Sequence, residues 1–201
     1  MIALVEYGAG NVASVERALW RLGATTVRCP DGESLSGARA VVLPGVGHFR
    51  QLAAALDARG LREPLLTAAR AGTPLLGICL GMQALYDASD EAPAARGLGL
   101  LPGRVRALPT SVKLPHTGWN TVRARGSSRL LRHAAPDAWY YFAHAYAAPA
   151  PAPHEAVTAV CDYGETFAAV VEAGTVMGVQ FHPEKSARAG ERVLRAFLEA
   201  I

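Results

Sequence analysis

The sequence predicts an α/β fold with a mostly parallel central sheet flanked by helices and with added antiparallel strands in its C-terminal half. Two observations predict it. Strand-like and helix-like patterns alternate from the start of the chain to about residue 97, which is typical of parallel strands joined by helical crossovers. Beyond that point the pattern changes to shorter strand-like segments, and we expect several of these to pair antiparallel through tight connections.

The elements follow in order from the apolar patterns. Strand-like segments of the first half lie at residues 1–6, 25–29, 40–43 and 74–79. Helical spacing of apolar residues falls at residues 12–22, 51–58, 61–71 and 80–86. The second half has strand-like segments at residues 105–108, 119–122, 139–143, 156–161, 166–172 and 176–181. We expect a proline- and alanine-rich loop at residues 147–153 and a last helix over residues 187–200, packed on the sheet.

The composition narrows the class of protein. A chain of 201 residues, 51% of them hydrophobic, is long enough for one full core, so we expect a single domain over residues 1–201. The net charge of +3 is small and the basic residues are scattered, so we expect binding neither to nucleic acid nor to a membrane surface. Three distant cysteines do not indicate disulfides, and no apolar run approaches the roughly 20 residues of a membrane span. We therefore expect a cytoplasmic protein.

Cys79 is the first candidate for chemistry. It follows the predicted strand at residues 74–79 and precedes a helical pattern, and glycines stand two residues before and two residues after it. Gly77 and Gly81 lack a Cβ and so allow two backbone segments to close around a strained residue with an exposed side chain, as in a nucleophile elbow. The helix N-terminus favours the reactive thiolate. We interpret Cys29 and Cys161 as small buried hydrophobic residues.

The sequence Gly-Val-Gln-Phe-His-Pro-Glu near the C-terminus supplies the groups that a nucleophilic cysteine needs. His182 and Glu184 are separated by Pro183, which biases the residue before it toward extended backbone, where alternate side chains face the same way. Glu184 is then expected to hold one ring nitrogen of His182 while the other faces Cys79. A strand end in an α/β sheet is also where functional side chains collect.

A glycine-rich turn after the first strand suggests a different function. The stretch Gly8-Ala9-Gly10-Asn11-Val12-Ala13 fits the dinucleotide fingerprint, and Asp31 lies about where an acidic ribose ligand would be sought. Against this interpretation, Asp31 follows Pro30 at a predicted turn, and the remaining length leaves no room for a substrate domain. The simpler interpretation is a tight turn between a strand and a helix.

Together, Gly-Ile-Cys-Leu-Gly-Met-Gln and His-Pro-Glu resemble the class I, or triad-type, glutamine amidotransferases over nearly the whole chain. Within that family three segments are similar to the glutaminase subunits of imidazole glycerol phosphate synthases. They are residues 44–49, Pro-Gly-Val-Gly-His-Phe; residues 115–120, Pro-His-Thr-Gly-Trp-Asn; and residues 178–186, Gly-Val-Gln-Phe-His-Pro-Glu-Lys-Ser. The middle segment discriminates most among family members.

The resemblance implies a glutaminase reaction. Cys79 would attack the side-chain amide of glutamine, His182 would carry protons, Glu184 would orient His182, and a γ-glutamyl thioester would be hydrolysed to glutamate with release of ammonia. The oxyanion would be held by the N–H of Leu80 and by an N–H of the Val46-Gly47 segment, where glycine allows the peptide to rotate.

The resemblance also implies a set of substrate contacts. These residues are Gly45, Gln83, His144, Ala145 and Tyr146. The last three match a family segment that usually reads His-Ser-Tyr, so Ala145 lacks the usual hydroxyl.

For the partner, the resemblance implies a (βα)₈ barrel cyclase in a heterodimer that serves histidine biosynthesis and receives the ammonia directly. Trp119 is a large amphipathic residue of the type that is enriched at interface centres. The interface residues implied are Asn11, Pro115, His116, Gly118, Trp119 and Asn120. Neither a metal nor an organic cofactor is expected.

Three alternatives stay open at this point. The chain could be the glutaminase subunit of another amidotransferase, a free-standing cysteine hydrolase of another amide, or a nucleotide-binding module that uses the first glycine turn.

Overall fold

A computed structural model describes residues 1–150 and 156–201 of the protein. The strands are β1 (Ile2–Val5), β2 (Thr26–Cys29), β3 (Ala40–Gly45), β4 (Leu75–Cys79), β5 (Tyr86–Ser89), β6 (Leu101–Ala107), β7 (His116–Thr121), β8 (Arg123–Ala124), β9 (Trp139–His144), β10 (Tyr146–Ala147), β11 (Val157–Tyr163), β12 (Glu165–Ala173) and β13 (Val176–Val179). The α-helices are α1 (Val12–Arg21), α2 (Phe49–Ala58), α3 (Arg62–Arg70), α4 (Leu80–Gln83) and α5 (Ala187–Leu198). Short 3₁₀ turns cover Glu33–Leu35 and Pro183–Lys185.

The main sheet has eight strands in the order β2-β1-β3-β4-β13-β12-β11-β8. The first five run parallel, and the last three join them antiparallel. A three-stranded sheet, β10-β6-β5, and the antiparallel pair β7-β9 are added to it. This architecture confirms the predicted fold class.

Helices cover both faces of the parallel strands because β1, β3, β4 and β13 are apolar and buried on both sides. On one face, Val41 and Leu43 of β3 pack in a core with residues of α2 and α3. On the other face, Ala40 and Val42 pack with α1, α5 and the inner side of β7-β9. None of the helices in the described part of the chain is long and apolar enough to cross a membrane.

The main error of the sequence prediction lies just after Cys79. A helix was expected over residues 80–86, but α4 ends at Gln83 and strand β5 begins at Tyr86. Residues 80–86 are all buried. A segment without an exposed polar face gives no periodicity that could distinguish a helix from a strand.

Other elements differ in length or were not predicted. Strand β6 begins four residues before the predicted start at residue 105. The prediction missed its first half because that half contains Pro102 and Gly103, which are unusual in strands. The short strands β8 and β10 were not predicted, and Ala147, expected in a loop, ends β10. Residues 151–153 of that predicted loop lie outside the described residues.

Candidate active site

Cys79 ends strand β4 and stands directly before α4, as the sequence predicts. Its backbone has φ 55° and ψ −110°, a strained conformation for a residue other than glycine. An added Cβ at Gly81 would overlap the carbonyl oxygen of Leu43 on the neighbouring strand, so only glycine lets the turn pack this closely. The side chain is not exposed as expected: Cys79 is 4% accessible and faces a small cavity.

His182 and Glu184 are brought to Cys79 by the register of the sheet. Strand β13 lies beside β4 with Val179 opposite Ile78, so the segment after β13 passes next to Cys79. The Nδ1 of His182 lies 2.9 Å from Oε1 of Glu184, and a carboxylate only accepts, so Nδ1 carries the proton. The expected contact is present, but Glu184 reaches the ring from a 3₁₀ turn rather than from an extended segment.

The charges of this group are strongly coupled. Burial by itself lowers the pKa of His182, but hydrogen bonding and charge from Cys79, and then from Glu184, outweigh it and raise the pKa to about 10. Burial would raise the pKa of Glu184, yet its contacts with His182 and Asn11 hold it below the usual value. The arrangement therefore favours an imidazolium next to a carboxylate and in contact with the sulfur.

Two further residues hold the pair in place. Asn11 donates from Nδ2 to Oε1 of Glu184 at 3.0 Å, across 173 positions of sequence. Ser186 donates to the carbonyl of His182 at 2.6 Å and accepts from the N–H of Tyr141 at 2.9 Å. Such outer contacts fix the geometry of a reactive group. Asn11 was expected at the partner interface, whereas Ser186 belongs to the segment at residues 178–186 that resembles the family but had no predicted role.

The cavity at Cys79 has a volume of about 170 Å³. This is below the range typical of drug-sized ligands and suits a molecule of amino-acid size. The lining residues are Val46, Gly47, Cys79, Leu80, Gln83, Glu91, Ala143, His144, Ala145, Tyr146, His182 and Lys185.

All but one of the predicted substrate residues line this cavity. The exception, Gly45, pairs with Cys79 across β3 and β4 and packs against Leu80 and Gly81 instead. Glu91 was missed, because an isolated acidic residue in a loop gives no sequence signal. One of its oxygens accepts from the N–H of Phe49 at 2.7 Å, at the start of α2.

The family model for class I glutamine amidotransferases matches residues 3–201. The chain belongs to this family. Subunit HisH of imidazole glycerol phosphate synthase from Deinococcus radiodurans is 48% identical over 200 residues, which are 98% of this chain and 92% of that protein. Subunit HisH of imidazole glycerol phosphate synthase from Methanothermobacter thermautotrophicus is 44% identical over 201 residues, which are 100% of this chain and 99% of that protein.

Solved structures share the fold of this amidotransferase. A crystal structure of a glutamine amidotransferase has a TM-score of 0.78 at 22% identity and covers 99% of this chain and 98% of its own. The structure of PurLQS from Thermotoga maritima has a TM-score of 0.75 at 21% identity and covers 99% of this chain and 97% of its own. At these identities the likeness concerns the fold alone.

The two backbone N–H groups expected to hold the oxyanion in this amidotransferase differ in their surroundings. Leu80 is the first residue of α4, and its N–H lies at the start of the helix next to Cys79. The N–H of Val46, in contrast, donates to the hydroxyl of Tyr7 at 3.3 Å. Gly47 follows with φ 96°, which only glycine adopts without strain. The Val46 donor is therefore engaged by Tyr7 in this structure.

His144 uses both ring nitrogens within the protein. Its Nδ1 donates to the carbonyl of Tyr146 at 2.9 Å, so its Nε2 accepts from Nδ1 of His116 at 3.1 Å. Burial lowers the pKa of His116 to about 4. Burial, followed by repulsion from His116, lowers that of His144 to about 3. Both rings are neutral, and His144 has only its ring surface and backbone left for substrate.

Four of the six residues expected at the partner interface lie in β7, and they divide between its two faces. His116 is buried and stacks on Tyr163 with ring centroids 4.0 Å apart, and Asn120 donates to the carbonyl of Asp162 at 3.1 Å. Trp119 points the opposite way and is half exposed, as strand alternation requires. Pro115 is exposed and Gly118 half-buried. The predicted strand began at residue 119, whereas β7 begins at His116, so alternation was not applied to His116.

Two residues on which the alternative nucleotide-binding interpretation depends make hydrogen bonds within the protein instead. The carboxylate of Asp31 accepts from the N–H of Ser34 at 3.0 Å and closes a turn. Asn11 of the glycine-rich turn contacts Glu184. No group of three or more potential metal ligands occurs among residues 1–150 and 156–201.

Proposed function

We propose that this chain is the glutaminase subunit of an imidazole glycerol phosphate synthase, forming one domain over residues 1–201. In this role it hydrolyses glutamine and passes the ammonia to a barrel-shaped cyclase subunit in histidine biosynthesis. The observation that supports the chemistry best is the contact of Cys79 with a histidine that is itself held by a carboxylate, at a cavity of amino-acid size. The near full-length similarity to HisH subunits supports the choice of synthase.

In the proposed reaction, Sγ of Cys79 attacks the side-chain carbonyl carbon of glutamine and the carbonyl oxygen becomes negative. His182 donates its Nε2 proton to the departing nitrogen, the C–N bond breaks, and ammonia leaves. A γ-glutamyl thioester remains on Cys79. Water then adds to the thioester while His182 takes a proton from it and returns a proton to the sulfur. Glutamate leaves, and the enzyme is restored.

The oxyanion of each tetrahedral intermediate would be held by the N–H of Leu80 and by an N–H of the Val46-Gly47 segment. One such donor is typically worth about 3 kcal/mol of barrier. Because Tyr7 engages Val46, we propose that the chain alone is a slow glutaminase. Rotation of the peptide at Gly47, brought about by the partner, would supply the second donor.

Tyr7→Phe is expected to raise glutamate release by the isolated chain about two- to tenfold, because it removes the acceptor that holds the Val46 N–H. The measurement is the steady-state rate without a partner. Tyr163→Phe is the matched control, since its hydroxyl donates to the carbonyl of Lys113, away from the cavity. An unchanged or lower rate in Tyr7→Phe would show that this contact does not restrain the donor.

Glutamine carries an ammonium group, and Glu91 is the carboxylate that lines the cavity. With one oxygen held by the N–H of Phe49, Glu91 has a fixed position from which the other oxygen can accept. We propose that it binds the α-ammonium group of the substrate. The backbone of residues 144–146 would bind the α-carboxylate group of the substrate. Because backbone groups make this contact, it does not need the hydroxyl that Ala145 lacks.

Glu91→Gln is expected to raise the KM for glutamine about 10- to 100-fold with a smaller change in kcat, because it removes a charge-assisted contact to bound substrate. Steady-state kinetics over a range of glutamine concentrations measure this. Glu63→Gln on α3 is a suitable control because its side chain lies away from this cavity. A loss confined to kcat would contradict a role in substrate binding.

The proposed interface is the outer face of β7-β9. There Trp119 pairs with Tyr141 and Thr121 with Trp139, and both tryptophans are at least half exposed. On the same face, Thr117 pairs with Ala143, which lines the Cys79 cavity. A partner seated on this aromatic face would therefore lie beside the cavity and could receive ammonia before it is protonated in water.

The test compares glutamate release by the chain alone and mixed with a barrel cyclase that carries its nucleotide substrate. We expect a low rate alone and a large rise in the mixture. Trp119→Ala is expected to weaken this stimulation, whereas Trp20→Ala is not, although Trp20 on α1 is similarly exposed. Equal rates with and without the cyclase would instead indicate a free-standing amidase or another synthase.

A further inference from the structure

Gln180 is a completely buried polar residue at the active site that the reaction described above does not use. It follows β13, and the parallel register that sets Val179 opposite Ile78 sets Gln180 beside Cys79. Its amide nitrogen lies 3.7 Å from the sulfur of Cys79, within hydrogen-bonding distance for sulfur. Its amide oxygen lies 3.1 Å from Nε2 of Gln83.

The orientation of both amides follows from the carbonyl of Tyr146. This oxygen can only accept, and the side chain of Gln83 approaches it to 2.7 Å, so Gln83 must present its nitrogen there. The second hydrogen of the same nitrogen points to Gln180, which must therefore present its oxygen to Gln83. The nitrogen of Gln180 is thereby directed at the sulfur of Cys79.

This chain of hydrogen bonds has two chemical consequences. An N–H aimed at sulfur stabilises the thiolate more than the thiol, because hydrogen bonds to a charged acceptor are the stronger ones. Gln83 also has both N–H groups occupied, so the oxygen of its amide is the group left to accept from a ligand in the cavity.

We propose that Gln180 is a catalytic residue that donates a hydrogen bond to the Cys79 sulfur and that also positions Gln83 toward bound glutamine. The second role rests on the proposed function, since it concerns glutamine. The first role does not, because it concerns the reactivity of the thiol itself.

Two variants separate these roles. Gln180→Glu keeps the oxygen that accepts from Gln83 but replaces the donor with a second oxygen facing the sulfur. Gln180→Leu has a similar size and removes both contacts, and it remains informative if the buried charge of Gln180→Glu prevents folding. Val179→Ala is the packing control, since Val179 is equally buried next to Gln180 but does not contact the sulfur through a polar group. Thermal unfolding confirms that each variant is folded.

The first measurement is the rate of Cys79 alkylation by iodoacetamide as a function of pH, read by mass spectrometry of the Cys79 peptide. In both Gln180 variants the pH of half-maximal rate is expected to rise by about one to two units. The ionisable groups around the sulfur are unchanged in Gln180→Leu and Val179→Ala, and they are His182, Tyr7, His144, Glu91 and Lys185. Gln180→Glu adds one carboxylate to them, so the shift in Gln180→Leu is the one that reports the loss of the donor alone. An unchanged profile in folded variants, or an equal shift in Val179→Ala, would overturn the proposal.

The second measurement is glutamine kinetics. Both variants are expected to lose about 10- to 100-fold in kcat, but only Gln180→Leu is expected to raise KM as well. Equal KM in the two variants would overturn the positioning of Gln83. If no form of the chain releases glutamate while the alkylation profile still shifts, the proposed function fails and the donor role of Gln180 stands.

Discussion

Cys79→Ala is expected to abolish glutamate release from glutamine, with a loss of more than about 10⁴-fold in kcat. The variant removes the only group in the proposed reaction that forms a covalent bond to the substrate. His182 and Glu184 stay in place in this variant. Without the sulfur, however, no acyl intermediate forms, so there is no thioester for water to hydrolyse. The measurement is glutamate formed per enzyme, with and without the cyclase.

The matched control is Cys161→Ala. Cys161 is a buried free thiol in β11, and burial raises its pKa to about 12, so it stays protonated and unreactive. Its loss should change stability slightly and leave glutamate release unchanged. Substantial activity in Cys79→Ala, or an equal loss in Cys161→Ala, would show that Cys79 is not the nucleophile.

Glu184→Gln is expected to lower kcat about 10²-fold, because a neutral amide does not stabilise the imidazolium of His182 as a carboxylate does. The Nδ1–H of His182 and the Nδ2 of Asn11 both donate to Oε1 of Glu184, so the amide is expected to place its oxygen at that position and keep both hydrogen bonds. The variant therefore keeps the tautomer of His182 and removes the charge. Glu172→Gln is a control, since this half-buried carboxylate binds Ser128 and Arg129 away from the cavity.

The same variant has a predicted pH signature. The pKa of His182 is about 10, above its ordinary value of 6.5, so its stabilising contribution is present below pH 6.5 and is lost as the pH rises through 10. The pKa of Glu184 is below its ordinary value of 4.5, so its contribution is present above pH 4.5 and is lost as the pH falls further.

Urea unfolding measures this contribution as the stability difference between the parent and Glu184→Gln. We expect the difference to be largest between pH 4.5 and 6.5 and to shrink toward both acid and strongly alkaline pH. A difference that is independent of pH would mean that the two residues are not ionised as a pair.

The sequence predicts the fold class and the meeting of Cys79 with His182 because both lie at the ends of apolar strand-like segments. Strand patterns do not give the order of strands in a sheet, however. The contact of Asn11 with Glu184 and the position of Gln180 beside Cys79 both depend on that order and were not predicted. The patterns thus predict which segments carry the chemistry, and the register decides which side chains touch.

Local patterns fail in a different way at buried and polar positions. Residues 80–86 are buried on all sides, so helical spacing there could not show that Tyr86 begins a strand. The segment around Trp119 was predicted to lie at an interface as a whole, but strand alternation turns His116 inward. The engagement of Val46 by Tyr7 joins a backbone group to a distant side chain, for which a sequence has no signal.

Transfer of the amide nitrogen of glutamine into the partner's product is the decisive measurement for a glutaminase subunit of this kind. The assay supplies the complex with glutamine labelled with heavy nitrogen in its side-chain amide, together with excess unlabelled ammonium in the solution. Mass spectrometry then reads the nitrogen in the imidazole product. We expect the product to carry the label and Cys79→Ala to form only unlabelled product. Unlabelled product from the intact complex, or labelled product from the variant, would contradict this expectation.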